Sequence, residues 1–190
     1  MNPTTTSRTR MNGVDVPALL ETIESMKADP SLGESQWRNR NRWYDGGLNR
    51  SEIQGFYAAG REDDSRKVAF VFDNDEPPVL LGQNRGPNPV EFVLHALAGC
   101  VTTTMVYYAA AKGIELSSVE TEFEGDIDLR GLLGVSDEVD PGYRQIRIAV
   151  RIEGDASEEE LDELVEIAKR HSPVFDSVTR PVDVRVERVA

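Results

Sequence analysis

The sequence predicts an α+β fold, and three patterns support this prediction. Several segments alternate apolar and polar residues with the period of two that is typical of a β-strand. Residues 89–112 form one long apolar segment with helical start and stop signals, and residues 157–171 carry a shorter amphipathic helix pattern. The order along the chain is therefore strands, a long buried helix, strands, an amphipathic helix and a last strand.

The N-terminal part is interpreted as an addition to this domain. Residues 1–12 are polar and are expected to be frayed, whereas residues 15–30 predict a short amphipathic helix with Asp15 as its N-cap. The apolar stripe of that helix consists of Leu19, Leu20, Ile23 and Met26. We expect an N-terminal extension over residues 1–35 and a main domain over residues 36–190.

Three strands are expected before the long helix. Residues 37–47 alternate strictly and end at a Gly-Gly turn, and residues 51–60 and 66–73 follow as further strands. In the first strand, one face carries Trp37, Asn39, Asn41 and Trp43, and the other carries Arg38, Arg40, Arg42 and Tyr44. In the third, Val68, Phe70 and Phe72 share a face.

The long apolar segment is predicted to be the buried central helix of a soluble domain. Asn88 is its N-cap, Pro89 suits the first helical position, and Gly113 suits the C-terminal stop. The length would also fit a membrane span, but Glu91, His95 and three consecutive threonines interrupt the apolar run. A helix that is apolar on nearly all sides is typical of the centre of a fold.

The second half of the chain predicts two paired strands, a helix and a final strand. Residues 118–129 and 143–153 alternate, and an acidic outer face on the first would lie beside a basic outer face on the second. Residues 130–142 form a long loop between them. A capping box starts the amphipathic helix, and residues 181–189 alternate as a closing strand.

Composition restricts the partners of the protein. The 190 residues carry a formal net charge of −13, from 34 acidic and 21 basic side chains, and such a surface repels nucleic acids and anionic membranes. The first ten residues, MNPTTTSRTR, include no apolar segment of the kind a secretory signal needs. A single cysteine suits a reducing compartment. We expect a cytoplasmic protein without nucleic-acid or membrane partners.

The sequence lacks the motifs of several common metal, phosphate-binding and hydrolase sites. His95, His171 and the single cysteine do not have zinc-ligand spacing, and neither a glycine-rich phosphate loop nor a G-x-S-x-G turn is present. We therefore expect no metal and no cofactor. Arg38, Arg40 and Arg42 could suggest a nucleic-acid stripe, but a solvated or ion-paired sheet face fits an acidic chain better.

Cys100, the only cysteine, has two possible interpretations from the residues alone. Its helical neighbours in the stretch ALAGCV are small and apolar, which is typical of an inert buried thiol. A reactive thiol needs a cation, a metal or a helix N-terminus that favours the thiolate. Because Cys100 lies about three turns into its helix, that group would have to be an arginine from elsewhere in the fold.

Longer stretches resemble the OsmC/Ohr family of osmotically inducible and organic-hydroperoxide-resistance proteins. GPNPVEFVLHALAGC followed by YAAAKGIEL is similar to the central helix of that family, and WYDGG resembles the strand that enters its first hairpin. DIDLRGLLG with VDPGY resembles the crossing segment of one subgroup, and AKRHSPVFDSV resembles the helix end that normally carries Cys-Pro-Val. The resemblance covers residues 37–190.

The resemblance implies an OsmC-like fold, in which antiparallel sheets wrap two long central helices of an intertwined two-fold homodimer. It also implies a chemistry at the subunit interface. The central-helix thiolate attacks an organic hydroperoxide and becomes a sulfenic acid. A second cysteine then reacts with the sulfenic acid to form a disulfide. An arginine stabilises the thiolate, and a glutamate directly after the Asn-Pro pair holds that arginine.

Carried onto this chain, the resemblance makes Cys100 the nucleophile. The second cysteine maps onto Ser172, so no internal disulfide can form, and His171 and Ser172 are expected to line the place where that cysteine normally lies. An external thiol would then have to reduce the sulfenic acid.

The arginine and the glutamate of the family match positions of this chain less directly than the cysteine does. Val90 occupies the position after Pro89, and Glu91 follows one residue later, rotated about 100° around the helix. Glu91 is either a displaced arginine partner or a first-turn acid that the helix dipole favours. Arg50 is the first choice for the arginine that stabilises the thiolate, and Arg42 is the second.

Two functions follow from these expectations. The first is a one-cysteine peroxidase of the oxidative stress response, an oxidoreductase that reduces an organic hydroperoxide at Cys100 with an external thiol as reductant. The alternative is a catalytically inactive protein of the same fold that holds a small apolar ligand at the dimer interface.

Overall fold

The computed structural model describes residues 10–189, which form two compact units. One unit consists of the residues up to Val16 and those from Leu94 onward, and the other consists of Pro17–Val93. The strands are β1 (Arg10–Met11), β2 (Val14–Asp15), β3 (Arg40–Asp45), β4 (Leu48–Ile53), β5 (Phe56–Ala58), β6 (Arg61–Asp63), β7 (Phe70–Asn74), β8 (Leu116–Ile127) and β9 (Tyr143–Gly154). The helices are α1 (Val16–Ala28), α2 (Pro89–Lys112), α3 (Leu129–Leu132), α4 (Glu158–His171) and α5 (Pro173–Thr179).

All the sheets among the described residues are antiparallel. In the unit Pro17–Val93, β3, β4 and β7 form a three-stranded sheet in that order, and β5 pairs with β6. In the other unit, β8 and β9 form a long two-stranded ladder, and β1 pairs with β2. This arrangement confirms the predicted combination of helices and antiparallel strands.

The unit that contains the end of α2 has a conventional apolar core. One side of α2 and one side of α4 meet there, and the inner faces of β8 and β9 pack against them. The buried residues of this core are Leu97, Val101, Met105, Ala109, Ile114, Leu161, Leu164 and Ala168. The predicted amphipathic pattern of α4 is therefore confirmed, because residues at spacings of three and four along the helix share the face that is buried.

The predicted helix signals are confirmed at both ends of α2 and at the start of α4. Asn88 Oδ1 accepts a hydrogen bond from the backbone N–H of Glu91, and Pro89 is the first helical residue. Gly113 follows the helix with a φ of 80°, a left-handed conformation that costs glycine little. Ser157 and Glu160 form the capping box of α4.

The long ladder also follows its sequence pattern. Along β8 the acidic residues alternate with half-buried ones, and the arginines of β9 lie on the same outer face. Arg147 pairs with Glu124 and Asp126, and Arg151 pairs with Glu122. The predicted pairing of an acidic face with a basic one is confirmed.

Several predicted elements have different bounds. Residues 51–60 do not form one strand, since β4 ends at Ile53 and β5 begins at Phe56. β7 begins only at Phe70, so Val68 lies outside it and is 80% exposed. The one-turn helix α3 begins at Leu129, the last residue of the predicted strand, and continues into the predicted loop. Helix α5 was not predicted from the sequence.

The predicted closing strand over residues 181–189 is wrong for the single chain. These residues make no ladder and are exposed, including Val182, Val184, Val186 and Val189. An alternating sequence supplies a face to bury, but a strand also needs a neighbouring strand for its backbone hydrogen bonds. Within this chain, no described strand pairs with them.

The N-terminal region is more ordered than expected where it is described. Residues 1–9, part of the segment expected to be frayed, lie outside the described residues. From Arg10 the chain forms the β1–β2 hairpin, whose turn residue Asn12 donates to Ile114 O at 2.9 Å and accepts from Leu116 N at 2.9 Å. Helix α1 follows as predicted, but none of its residues is buried.

A loop between β7 and α2 is organised around one buried carboxylate. Asp75 accepts hydrogen bonds from the backbone N–H groups of Glu76, Gln83 and Arg85, and from Arg85 Nε at 3.0 Å. The loop is tight at Gly82, where a Cβ would lie 1.8 Å from the carbonyl oxygen of Glu76. Burial alone would raise the pKa of Asp75, but these hydrogen bonds outweigh it and lower the pKa to about 2.

Helix α2 is long and apolar enough to cross a membrane by length and composition alone. The central helix of a water-soluble fold meets the same two criteria. Here one stripe of the helix is packed into the core described above, whereas a second stripe remains exposed in the single chain.

Candidate functional site

Cys100 lies in the middle of α2, at the edge of the stripe that the core covers. Its neighbours Leu97 and Val101 are buried, whereas Cys100 itself is half-buried and is not a member of the apolar core. Thr104 Oγ1 donates to the carbonyl oxygen of Cys100 at 2.8 Å. Cys100 is therefore only partly covered in the single chain and lies outside the apolar core.

The accessible side of α2 next to Cys100 is made of small residues. Ala96, Gly99 and Thr103 are exposed, and Tyr107 is 48% exposed one turn further along. Residues at spacings of three and four share one helix face, so these side chains and Cys100 form one stripe. A Cβ on Gly99 would meet no atom within 4 Å.

His171 and Ser172 lie together at the junction of α4 and α5. The ring of His171 stacks on Tyr108, which is on α2 eight residues after Cys100, with centroids 5.3 Å apart. Ser172 is 1% exposed, and its Oγ accepts a hydrogen bond from the backbone N–H of Phe175 as the N-cap of α5. Ser172 thus has a structural role that a serine fulfils well.

Glu91 lies in the first turn of α2 and closes a capping box. Its carboxylate accepts from the backbone N–H of Asn88 at 2.8 Å, while its own N–H donates to the Asn88 side chain. No ion pair to Glu91 is found within the described part of its unit. The geometry supports the second of the two readings of this residue, a first-turn acid that the helix terminus favours.

Arg50 is held by an aspartate that the sequence did not single out. Its Nε and Nη2 donate to the two carboxylate oxygens of Asp73 at 2.6 and 2.9 Å. Hydrogen bonding to Asp73, with the charge of that carboxylate, raises the pKa of Arg50, and the same contact lowers the pKa of Asp73. The guanidinium also lies 5.4 Å from the ring centroid of Tyr44.

Asp73 was missed because its pairing depends on strand register. Residue 73 is opposite Arg50 only because β7 pairs antiparallel with β4. The sequence showed two alternating segments but could not align them, since a shift of one residue would send Asp73 to the other face. Arg42, the second choice for the arginine, is opposite Arg50 on β3 and has no ion pair among residues 10–189.

Residues 10–189 contain no cluster of three or more histidine, cysteine or acidic side chains arranged to hold a metal ion. Each group of predicted site residues has its own local contacts. Cys100 lies on the accessible side of α2, His171 and Ser172 form the α4–α5 junction, and Arg50 with Asp73 lies on the β4–β7 pair.

Comparison with known proteins identifies a family and several similar solved structures. A family model described as OsmC-like protein matches residues 82–187, more than half of the chain. An OsmC-like protein from Mycoplasma pneumoniae is 16% identical, with a TM-score of 0.58 over 76% of this chain and 87% of that chain. No curated protein sequence gives a significant match.

Two further solved structures are similar at low identity. An OsmC-like protein of unknown function from Vibrio cholerae is 12% identical, with a TM-score of 0.54 over 76% of this chain and 94% of that chain. The organic hydroperoxide resistance protein OsmC from Legionella pneumophila is 16% identical, with a TM-score of 0.50 over 75% of this chain and 89% of that chain. These likenesses establish the fold.

Proposed function

Because this chain belongs to the OsmC-like protein family, we propose that it is a thiol-dependent peroxidase that reduces organic hydroperoxides at Cys100. The observation that carries this proposal is the setting of the only cysteine. Cys100 is half-buried on the accessible side of the central helix instead of packed in the apolar core. The similar protein from Legionella pneumophila, named for organic hydroperoxide resistance, supports the choice of substrate class.

The proposed reaction has two stages. The thiolate sulfur of Cys100 attacks the terminal oxygen of the hydroperoxide, the O–O bond breaks, and the alkoxide takes up a proton and leaves as an alcohol. The sulfenic acid that forms is attacked by an external thiol, and water leaves. A second external thiol then displaces Cys100 from the mixed disulfide, so that one hydroperoxide consumes two thiols and gives one disulfide.

An external reductant is proposed because Ser172 replaces the resolving cysteine. No second cysteine exists in the chain, and Ser172 is buried as the N-cap of α5. A sulfenic acid without a resolving partner is also more open to further oxidation. The external thiol must therefore react faster than a second molecule of hydroperoxide.

Arg50 is proposed as the cation that favours the thiolate. The pair with Asp73 supports this choice, because two parallel hydrogen bonds fix the direction of a guanidinium. Asp73 would then do what the glutamate does in the family, while Glu91 caps its own helix. His171 and Ser172 are retained as residues that line the binding place.

We also propose that two copies associate as a homodimer. The exposed small-residue stripe of α2 and the unpaired alternating residues 181–189 support this proposal, since both are surfaces that a second chain could cover. A cytoplasmic location also remains a proposal, and family membership favours a soluble protein.

Steady-state kinetics tests the proposed function. We expect purified protein to consume cumene hydroperoxide in the presence of dithiothreitol, Cys100→Ser to abolish this turnover, and Arg50→Gln to slow it. Thr104→Ser is the matched control, since it keeps the hydroxyl that donates to the Cys100 carbonyl. Equal turnover by wild type and Cys100→Ser would exclude the peroxidase.

The alternative function makes a different prediction in the same assay. A binding protein for a small apolar ligand would show no turnover with any of these variants. The capping roles of Ser172 and Glu91 are the observations that favour it, because both residues serve the fold in this chain. Absence of turnover together with binding of an apolar fluorescent probe would support this alternative.

A further inference from the structure

An unusual concentration of positive charge lies on one face of the β3–β4–β7 sheet. The antiparallel register sets Arg42 directly opposite Arg50 and sets Arg40 opposite Glu52. Directly opposed side chains in such a ladder have Cβ atoms about 5 Å apart, and like charges at that position are unfavourable. The protein as a whole has a net charge of −13, whereas this face carries three arginines against two carboxylates, Glu52 and Asp73.

Two of these guanidinium groups have no carboxylate partner among the described residues. Asp73 takes both parallel hydrogen bonds of Arg50. By contrast, Arg40 and Arg42 make neither an ion pair within 4 Å nor a side-chain hydrogen bond to any residue that the structure describes. Each guanidinium has five N–H donors in a planar fork, a geometry that matches the oxygens of a carboxylate or a phosphate.

The same arginines line a cavity. It has a volume of about 410 Å³ and is lined by Arg40, Asn41, Arg42, Tyr44, Arg50 and Glu52. A volume of this size can hold a small organic molecule, and the exposed residues of β3 leave it open to solvent. A second cavity of about 220 Å³ shares Arg40 and Glu52 with the first, so Arg40 borders both.

We propose that this cavity binds a small organic anion, whose carboxylate or phosphate end accepts paired hydrogen bonds from Arg40 and Arg42. The anion supplies a counter-charge to Arg42, which the ladder sets opposite Arg50. Tyr44, held against the Arg50 guanidinium and 48% exposed, supplies an apolar surface for the body of the ligand.

This proposal does not rest on the peroxidase function. The ligand is held by Arg40 and Arg42, and binding of an anion that contains no peroxide can be measured whether or not Cys100 reacts. Absence of turnover would therefore not argue against the anion site, and absence of anion binding would not argue against the peroxidase function.

Isothermal titration calorimetry with two probes tests the site. Benzoate and phenyl phosphate share an aromatic body and differ in the anionic end. We expect the wild-type protein to bind at least one of them, and binding of only one identifies the preferred oxyanion. Inorganic phosphate should bind more weakly than phenyl phosphate, and acetate more weakly than benzoate, because they lack the aromatic body that contacts Tyr44.

Variants distinguish recognition by Arg42 from general charge attraction. Arg42→Gln should weaken binding about tenfold or more, the change expected for loss of a charged hydrogen-bonding group. Arg42→Lys should also weaken it, since an ammonium keeps the charge but loses the planar fork. Arg61→Gln is the control, because this exposed residue of β6 makes the same charge change and does not line the cavity.

Three results would overturn the proposal. They are no binding of either probe, equal weakening by Arg42→Gln and Arg61→Gln, and full affinity in Arg42→Lys. The substituted side chains are on the surface, and circular dichroism spectra that match the wild type would show that each variant is folded.

Discussion

At the scale of single residues, Cys100 and Ser172 differ sharply in their surroundings. Cys100 has an accessible side on α2, whereas Ser172 is 1% exposed and caps α5. The sequence alone could not separate a reactive thiol from an inert one, because small apolar neighbours suit both. The structure adds the exposure of the cysteine and the capping role of the serine.

Restoring the second cysteine tests whether Ser172 occupies the resolving position. We expect Ser172→Cys, treated with one equivalent of cumene hydroperoxide, to form a disulfide with Cys100 that peptide mass spectrometry detects as a cross-linked pair. Serine and cysteine have similar shapes, so the α4–α5 junction should accommodate the thiol, with a weaker cap to the backbone N–H of Phe175. Ser177→Cys, on the exposed part of α5, is the control and should not form this cross-link.

If Ser172→Cys remains uncross-linked while Cys100 is oxidised, the mapping of the resolving cysteine onto position 172 is wrong. The peroxidase proposal would survive that result, since it requires only an external thiol.

Asp75 should make the protein sensitive to acid. Its pKa is lowered from 3.8 to about 2 in the folded state, so the charged carboxylate contributes stability that is fully present above pH 3.8. This contribution is lost as the pH falls towards 2. We expect the melting temperature of the wild type to fall over that pH interval. The melting temperature of Asp75→Asn should fall less, because this variant has no carboxylate to protonate at position 75.

The comparison is best made by differential scanning calorimetry at several pH values. Asp137→Asn, in the exposed loop before β9, controls for the general effect of one carboxylate. A parallel pH dependence in wild type and Asp75→Asn would mean that other acidic groups account for the acid sensitivity.

At the scale of secondary structure, the helices α2 and α4 were predictable from sequence and the last strand was not. Helix signals are local, since Asn88, Pro89 and Gly113 act on the backbone within a few residues. A strand depends on a partner that can lie anywhere in the sequence or in another chain. For that reason the alternating residues 181–189 predicted a strand that the single chain does not form.

The packing of α4 on the core predicts a large effect for one truncation. Leu164 is 0% exposed and lies in the apolar core cluster. We expect Leu164→Ala to lower the free energy of unfolding by about 3 kcal/mol, through lost burial and the cavity that remains. Chemical denaturation with urea measures this change.

Val135→Ala is the matched control, because Val135 is 67% exposed in the loop after α3. Its free energy of unfolding should stay within about 0.5 kcal/mol of wild type. A similar small change in Leu164→Ala would show that α4 contributes little to the stability of its unit.

At the scale of the whole molecule, the proposed homodimer makes one exposed surface a candidate interface. The exposed stripe of α2 that contains Ala96, Gly99 and Thr103 has the small side chains that allow two helices to approach closely. We expect sedimentation velocity to give a dimer for the wild type and a monomer for Thr103→Arg, whose long charged side chain prevents that approach.

Ser117→Arg, at an exposed position of β8, controls for the added charge and should remain dimeric. A wild-type protein that sediments as a monomer at micromolar concentration would contradict the proposed homodimer. A Thr103→Arg variant that stays dimeric would move the interface away from α2.

The fold could be predicted further than the site. Periodicity and the stretch GPNPVEFVLHALAGC indicated the helices, the strands and the family. The pairing of Arg50 with Asp73 and the cavity of Arg40 and Arg42 depend on strand register, which a single sequence does not specify. Contacts that join distant residues across a ladder therefore had to come from the structure.

The peroxidase function is tested most directly by the mass of the Cys100 peptide after treatment with a stoichiometric organic hydroperoxide. We expect rapid addition of one oxygen atom at Cys100, reversal by a small thiol, and no change of the corresponding peptide in Cys100→Ser. A Cys100 peptide that stays unmodified at a modest excess of hydroperoxide would contradict the peroxidase function.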